Sequence, residues 1–343
     1  MHVPASARLT IDLDAVVANW RTVARHAAAP AGAALKADGY GLGAAPIARR
    51  LVAEGCRDLF VANWAEALAL GRAADGAVVH VFHGVEVHDI PAAHALRHAQ
   101  PVLNTPEQAA LWRDAAADRA CDLMVDCGMN RLGLAPGDLA AAHGLNTDVL
   151  MSHLSCADNP VHPSNLRIRD TLRAIPSPAR RRSLAASAGA YLGPGYGFDL
   201  IRPGLALYGG QPCARATDIM PVARIAARIL QLRDLAPGDP VGYGQTFLAT
   251  HPTRLAVVGL GYADGLPRAP GTKALLDGTE HPVVGRVSMD LTAIDVTQAP
   301  AARVGDWIEI VFDLPAIAAT SGRSQYELLT GLGHRFERRY TPA

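Results

Sequence analysis

Residues 33–61 read AALKADGYGLGAAPIARRLVAEGCRDLFV. The apolar run 33–35 is followed by a helical pattern over 44–54 and then by a second apolar run, 59–61. Strand, helix and strand in that order form a crossover unit that lays the two strands parallel. The same alternation extends outward in both directions. A helical stretch spans 14–28 with Asp14 in cap position, and further apolar runs lie at 78–82, 123–125 and 149–152. A helix over 106–115 opens with Thr105-Pro106-Glu107, a capping residue ahead of a proline that cannot donate. From residue 9 to about 215 the number of units suits a (β/α)8 barrel better than a doubly wound three-layer sheet. No GxGxxG or GxxxxGK segment follows the first runs, so dinucleotide and NTP binding lose support.

Beyond residue 218 the pattern changes. Segments 224–232, 240–247, 255–259, 273–276, 282–287 and 307–311 are short, rich in Val, Ile and Thr, and separated by Pro-Gly, Asp-Gly or Gly-Asp turns. They predict an all-β domain with one short helix inside 324–332. The expected fold is therefore α/β: a barrel over residues 1–217 followed by a mainly β domain over 218–343. A chain of 343 residues accommodates two such domains.

Basic and acidic side chains balance at 32 each. Zero net charge argues against nucleic acid or a membrane surface as partner, and no run of 18 apolar residues predicts a membrane span. Cys56, Cys121, Cys127, Cys156 and Cys213 show neither a CxxC pair nor metal-finger spacing, which predicts buried thiols, no metal, and a reducing, cytoplasmic setting. The run Arg180-Arg181-Arg182 reads as a solvated loop. What is left is small-molecule chemistry. Of the 32 basic residues only Lys36 and Lys273 are lysine. Arginine stays protonated and cannot form a Schiff base, so these two are the only side-chain candidates for amine chemistry. Lys36 ends an apolar strand, at the carboxyl end where parallel barrels build their sites, and partial desolvation there would lower its pKa. Lys273, beside Gly271-Thr272, reads as a surface charge.

Nine segments, LKADGYGLG, DCGMNRLGL, MSHLS, SLAASAG, FDLIRPGLALYG, VGYGQTF, GYADGLPR, GRVSMD and YELLT, follow one another in the order seen in the alanine racemase family. The resemblance extends from about residue 9 to residue 340. It implies a pyridoxal 5'-phosphate enzyme of the barrel-plus-β-domain type that interconverts L- and D-alanine and supplies D-alanine for peptidoglycan. It further implies that Lys36 holds the cofactor covalently. Tyr40, Ser187 and backbone amides near Gly204 and Leu205 would hold the phosphate, with Tyr326 also near the cofactor. Arg202 would donate to the pyridine nitrogen, supported by His153. A fixed cation there disfavours ring protonation, weakens the electron sink and so favours proton exchange over transamination. Arg131 would face the phenolic oxygen and the substrate carboxylate, two oxygens that a guanidinium fork can bind at once.

Racemisation needs a base on each face, and the resemblance gives these roles to Lys36 and Tyr243. A tyrosine with an ordinary pKa of about 10 needs a cationic or hydrogen-bonded setting to act near neutrality. Tyr243 would come from the partner in a head-to-tail homodimer, with Met289 and Asp290. Tyr262 and Tyr326 would line a narrow approach with Asp158, Arg268 and Arg286. The sequence departs from many members at Met124, where they carry a carbamylated lysine, and at Ala186, where they carry asparagine. Those changes leave room for a racemase of serine or of broader specificity. A non-catalytic cofactor-binding barrel lacks the β domain, and a related decarboxylase would place an acid where Arg202 stands.

Overall fold

The computed structural model describes residues 5–177 and 179–342. By contact the chain divides into two units, Ala15–Met220 and Met1–Asp14 with Pro221–Ala343. Strand β1 (Ala7–Asp12) runs into helix Leu13–Ala27. Asp14 lies inside the first turn of that helix rather than at its cap, where its charge suits the positive end of the helix.

The Ala15–Met220 unit is built on β2 (Ala33–Ala34), β3 (Asp58–Val61), β4 (Val78–Val81), β5 (Ala99–Leu103), β6 (Ala120–Met124), β7 (Asn146–Met151) and β8 (Arg181–Ser183). They pair in chain order, all parallel. An eighth, shorter stave at Leu200 and Ile201 makes parallel bridges to Ser183 on one side and Ala31 on the other, which closes β8 back onto β2. Gly32 lets the chain entering β2 pack close against β3, because a Cβ there would lie 2.6 Å from the Asp58 carbonyl oxygen and 2.7 Å from the Phe60 ring. Strands β3 and β5 are buried at every residue, as expected where helices cover one face and the barrel interior the other. Thr105 caps the helix Pro106–Ala116, accepting from Gln108 N at 3.2 Å.

Inside the barrel, toward the amino ends of the strands, lies a polar floor. His80 Nδ1 meets Asp122 Oδ2 at 2.5 Å and His80 Nε2 meets Asp58 Oδ1 at 3.0 Å. Gln100 Nε2 donates to Asp122 Oδ1 at 2.8 Å. Arg181 forks onto Asp58 at 2.7 and 3.0 Å and reaches Asp148 at 2.7 Å. Arg181 is thus a correction to the solvated-loop reading: it opens β8, and acids on β3 and β7, distant in sequence, turn it inward.

The second unit contains β9 (Ala223–Leu235), β10 (Pro240–Val241), β11 (Phe247–Leu248), β12 (Thr253–Val258), β13 (Lys273–Leu276), β14 (Thr279–Val284), β15 (Thr292–Asp295), β16 (Trp307–Ile310) and β17 (Glu337–Thr341). Its main sheet runs β12-β15-β14-β13-β16-β9-β1-β17, and β12 also pairs with β9, so six of the strands close into a ring. The long β9 makes both closures, using Ile225–Arg228 for β16 and Ile229–Leu235 for β12. Strand β1 lies between β9 and β17, antiparallel to the first and parallel to the second. Helix Gln325–Thr330 falls in the stretch where one was expected, started by a Ser324–Glu327 capping box. A second helix, Leu314–Ser321, precedes it. Among the described residues no helix is long and apolar enough to cross a membrane.

Candidate active site

Lys36 follows the fully buried Leu35 at the carboxyl end of β2. The chain then turns through left-handed backbone at Ala37, Asp38, Gly39 and Tyr40, with φ between 50° and 62°. Two carboxylates hold the turn: Glu66 accepts from Ala37 N and Asp38 from Ala44 N, both at 2.8 Å. Burial pushes the Lys36 amine below its ordinary pKa, Arg131 adds to that, and Glu66 opposes both. A larger fraction of Lys36 is therefore neutral and nucleophilic than in an exposed lysine.

Tyr40 stacks on Tyr208 with ring centroids 4.6 Å apart, and Tyr208 donates to Ala34 O at 2.7 Å. The Tyr40 hydroxyl lies so close to Gly204 that any side chain there would collide with it. Ser187 Oγ accepts from Gly204 N at 3.0 Å and from Ala206 N at 3.2 Å, which leaves its own O–H free to donate. Tyr40, Ser187 and the segment Gly204–Leu205 thus converge as neutral donors, the kind of cradle that suits a phosphate.

Arg202 is buried. Its Nη1 donates to Ser183 Oγ at 2.5 Å and its Nη2 to Ser152 O at 2.6 Å. Burial lowers its pKa to about 10, with Asp122 opposing. His153 is pushed down to about 3, by burial first and then by Arg202, Arg131 and Lys36, so it is neutral at physiological pH. Lys36, Arg131, His153 and Arg202 therefore gather at one rim of the barrel, and the surplus of positive charge there suits an anionic ligand. Arg131 stands on the loop after β6. Met124, the last residue of β6, is buried beneath that loop against Gly133.

Other expected residues lie on the second unit. Tyr262 N donates to Ser288 O at 2.9 Å and Ala263 N to Met289 O at 3.0 Å. Arg268 covers the Tyr262 ring at 5.2 Å. Arg335 joins this group, forking onto Asp264 at 2.7 and 2.9 Å and meeting Asp290 at 2.7 Å. Arg286 lies against Gly242 and Gly244, which flank Tyr243. Tyr243, Met289, Tyr326 and Tyr262 are 68, 53, 48 and 39% exposed. Such a set of large apolar and aromatic side chains is unusual on a free surface. Ser152, Ser183, Tyr208 and Arg335 escaped the sequence reading. The first three stand inside segments quoted above, but nothing local marks them as supports.

Family models described as "Alanine racemase, N-terminal domain" and "Alanine racemase, C-terminal domain" match residues 11–212 and 222–340. The chain is 45% identical to an alanine racemase of Acidiphilium cryptum, over 96% of this chain and 97% of that one. It is 38% identical to the biosynthetic alanine racemase of Agrobacterium fabrum, over 99% and 95%. Among solved structures it resembles the alanine racemase of Bartonella henselae with covalently bound pyridoxal phosphate, at TM-score 0.87 and 32% identity over 98% of this chain and 100% of that one. It also resembles the biosynthetic alanine racemase of Pseudomonas aeruginosa, at TM-score 0.87 and 34% identity over 98% and 100%.

Proposed function

Because the chain belongs to the alanine racemase family, whose activity is the interconversion of L- and D-alanine with pyridoxal phosphate, we propose that the barrel rim around Lys36 is its catalytic site. The donor set fits the cofactor. Tyr40, the Ser187 hydroxyl and the Leu205 amide would offer a phosphate cradle, with the Gly204 amide donating to Ser187 Oγ and holding that hydroxyl in place, and Lys36 is an amine with lowered pKa that can hold an aldehyde covalently. When bound, the cofactor acidifies the α-proton of the amino acid joined to it.

Lys36 then holds or returns that proton on one face and Tyr243 on the other. Arg202, held by Ser183 and Ser152, would donate to the ring nitrogen, and the neutral His153 near it adds no second charge. Arg131 binds the substrate carboxylate. We assign Tyr243, Met289 and Asp290 to the partner subunit's site in a head-to-tail homodimer, with Tyr262 and Tyr326 at the approach; their exposure supports this. The D-alanine would serve peptidoglycan synthesis in the cytoplasm.

The observation that carries the reading is an amine at the end of β2, its pKa lowered by burial and Arg131, that shares the buried His153 as a neighbour with Arg202. Lys36→Ala should remove the visible absorbance of the lysine-bound cofactor and slow racemisation by about 10³-fold or more. A mutant that keeps both the absorbance and the activity would overturn the assignment.

A further inference from the structure

We propose that Asp126 is the positioning residue for Arg131, acting through the backbone amides of its loop without touching the guanidinium. The proposal rests on Arg131 as the contact for the substrate carboxylate. The loop leaves β6 at Met124 and returns at Leu134. Its ends are pinned where Asp126 N donates to Leu134 O and Leu134 N to Met124 O, both at 2.9 Å. A parallel bridge between Val125 and Leu134 completes the neck.

Inside the loop, Asp126 Oδ1 accepts from Gly128 N and Met129 N, each at 2.8 Å. The Asn130 and Arg131 amides also support the carboxylate. Partial burial opposes its ionisation, but these four amides outweigh that and hold its pKa below the ordinary carboxylate value. The loop needs left-handed backbone at Gly128, Asn130 and Gly133, with φ of 120°, 55° and 136°. A side chain at Gly133 would come within 2.9 Å of both Asp126 N and Met124 Cγ. The Arg167 guanidinium lies against Gly128 from outside.

Arg131 is exposed, and its guanidinium joins none of the ion pairs formed among the described residues. A guanidinium held by a side-chain partner has fewer N–H donors left for a ligand. One aimed by its own backbone keeps the whole fork available. Asp126 therefore fixes where the cation starts while leaving its donors uncommitted.

The test compares the wild-type holoenzyme with Asp126→Ala and Asp126→Asn. The readouts are KM and kcat for L-alanine, the inhibition constant of propionate, which has alanine's carboxylate and carbon chain without the amine, and amide hydrogen exchange over residues 128–131. Asp126→Ala should raise KM and the propionate constant about tenfold, equal to about 1.4 kcal/mol. It should change kcat less and leave the cofactor absorbance intact. Asp126→Asn, which keeps an oxygen acceptor without the charge, should fall between. Values within twofold of wild type for both variants would overturn the proposal. If Asp126→Ala does not fold, Asp126→Asn and the exchange rates decide: amides at 128–131 no better protected in wild type than in Asp126→Asn overturn it, and loss of protection supports it. A wild-type chain that neither takes up the cofactor nor turns over alanine would instead sink the catalytic assignment, and the exchange comparison would still judge Asp126.

Discussion

His80 and His153 lie buried in the same barrel, and their imidazoles are driven in opposite directions. Burial alone lowers the pKa of both. At the floor, Asp122 and Asp58 flank His80 and raise it to about 9, so it is a buried cation between two acids. At the rim, Arg202, Arg131 and Lys36 add to burial and leave His153 neutral, at about 3. Neighbouring charge, not depth, separates the two. The floor satisfies its polar groups internally, with Asp58, Asp122 and Asp148 set against His80 and Arg181. The rim keeps a surplus of donors and positive charge, which suits an incoming anion.

The sharpest way to break this contrast is to remove one floor acid. Asp122→Ala leaves a buried imidazolium with half its pairing and should cost about 3–5 kcal/mol in urea unfolding. A loss below about 1 kcal/mol would show that the floor is not a paired network.

Titration tests the contrast next. Because its folded pKa is raised, His80 stabilises the fold fully below its ordinary pKa of 6.5, and that contribution disappears as pH rises through about 9. His153, with its pKa depressed to about 3, acts in the other direction: below 6.5 the unfolded chain takes up a proton that the folded site refuses, so stability falls as pH drops toward 3. Asp58, lowered to about 2, adds to the acid loss below 3.8. Histidine NMR should therefore find His80 protonated at about pH 8 and His153 unprotonated at about pH 5. Two residues titrating together near the ordinary value would erase the comparison.

The smallest effect belongs to Lys273, which is about half exposed and paired with Glu280 at 2.5 Å. Lys273→Ala should change stability by no more than about 0.5 kcal/mol and leave turnover unchanged. A large loss of activity would reopen the choice between the two lysines.

Much of the barrel was legible because its strands are short apolar runs flanked by helical periodicity, and Lys36 stood out through the scarcity of lysine. The motif order also singled out Tyr40, Ser187 and Arg202, which the structure places in the same unit as Lys36. The floor was not legible, since Asp58, His80, Asp122 and Arg181 come from different strands and look unremarkable one by one. Arg181 misled for the same reason: its partners lie on β3 and β7. The stave at Leu200 and Ile201 is too short for any periodicity to register. The stretch at β1 read as part of the barrel pattern because a strand precedes a helix there, yet β1 pairs with β9 and β17 of the other unit. Helix Leu314–Ser321 lacks a polar face to set its period.

The place of β1 has a consequence for synthesis. As the chain emerges from the ribosome, Leu9 and Ile11 appear before the Ala15–Met220 unit, but both neighbours of their strand are encoded beyond it. Until those neighbours are made, this segment, apolar on one face at Ala7, Leu9 and Ile11, has neither partner, while the Ala15–Met220 unit already holds every strand of its barrel. The second unit cannot complete its sheet until Glu337–Thr341 has been made, and a ribosome that stalls shortly before Glu337 leaves β1 with one edge open.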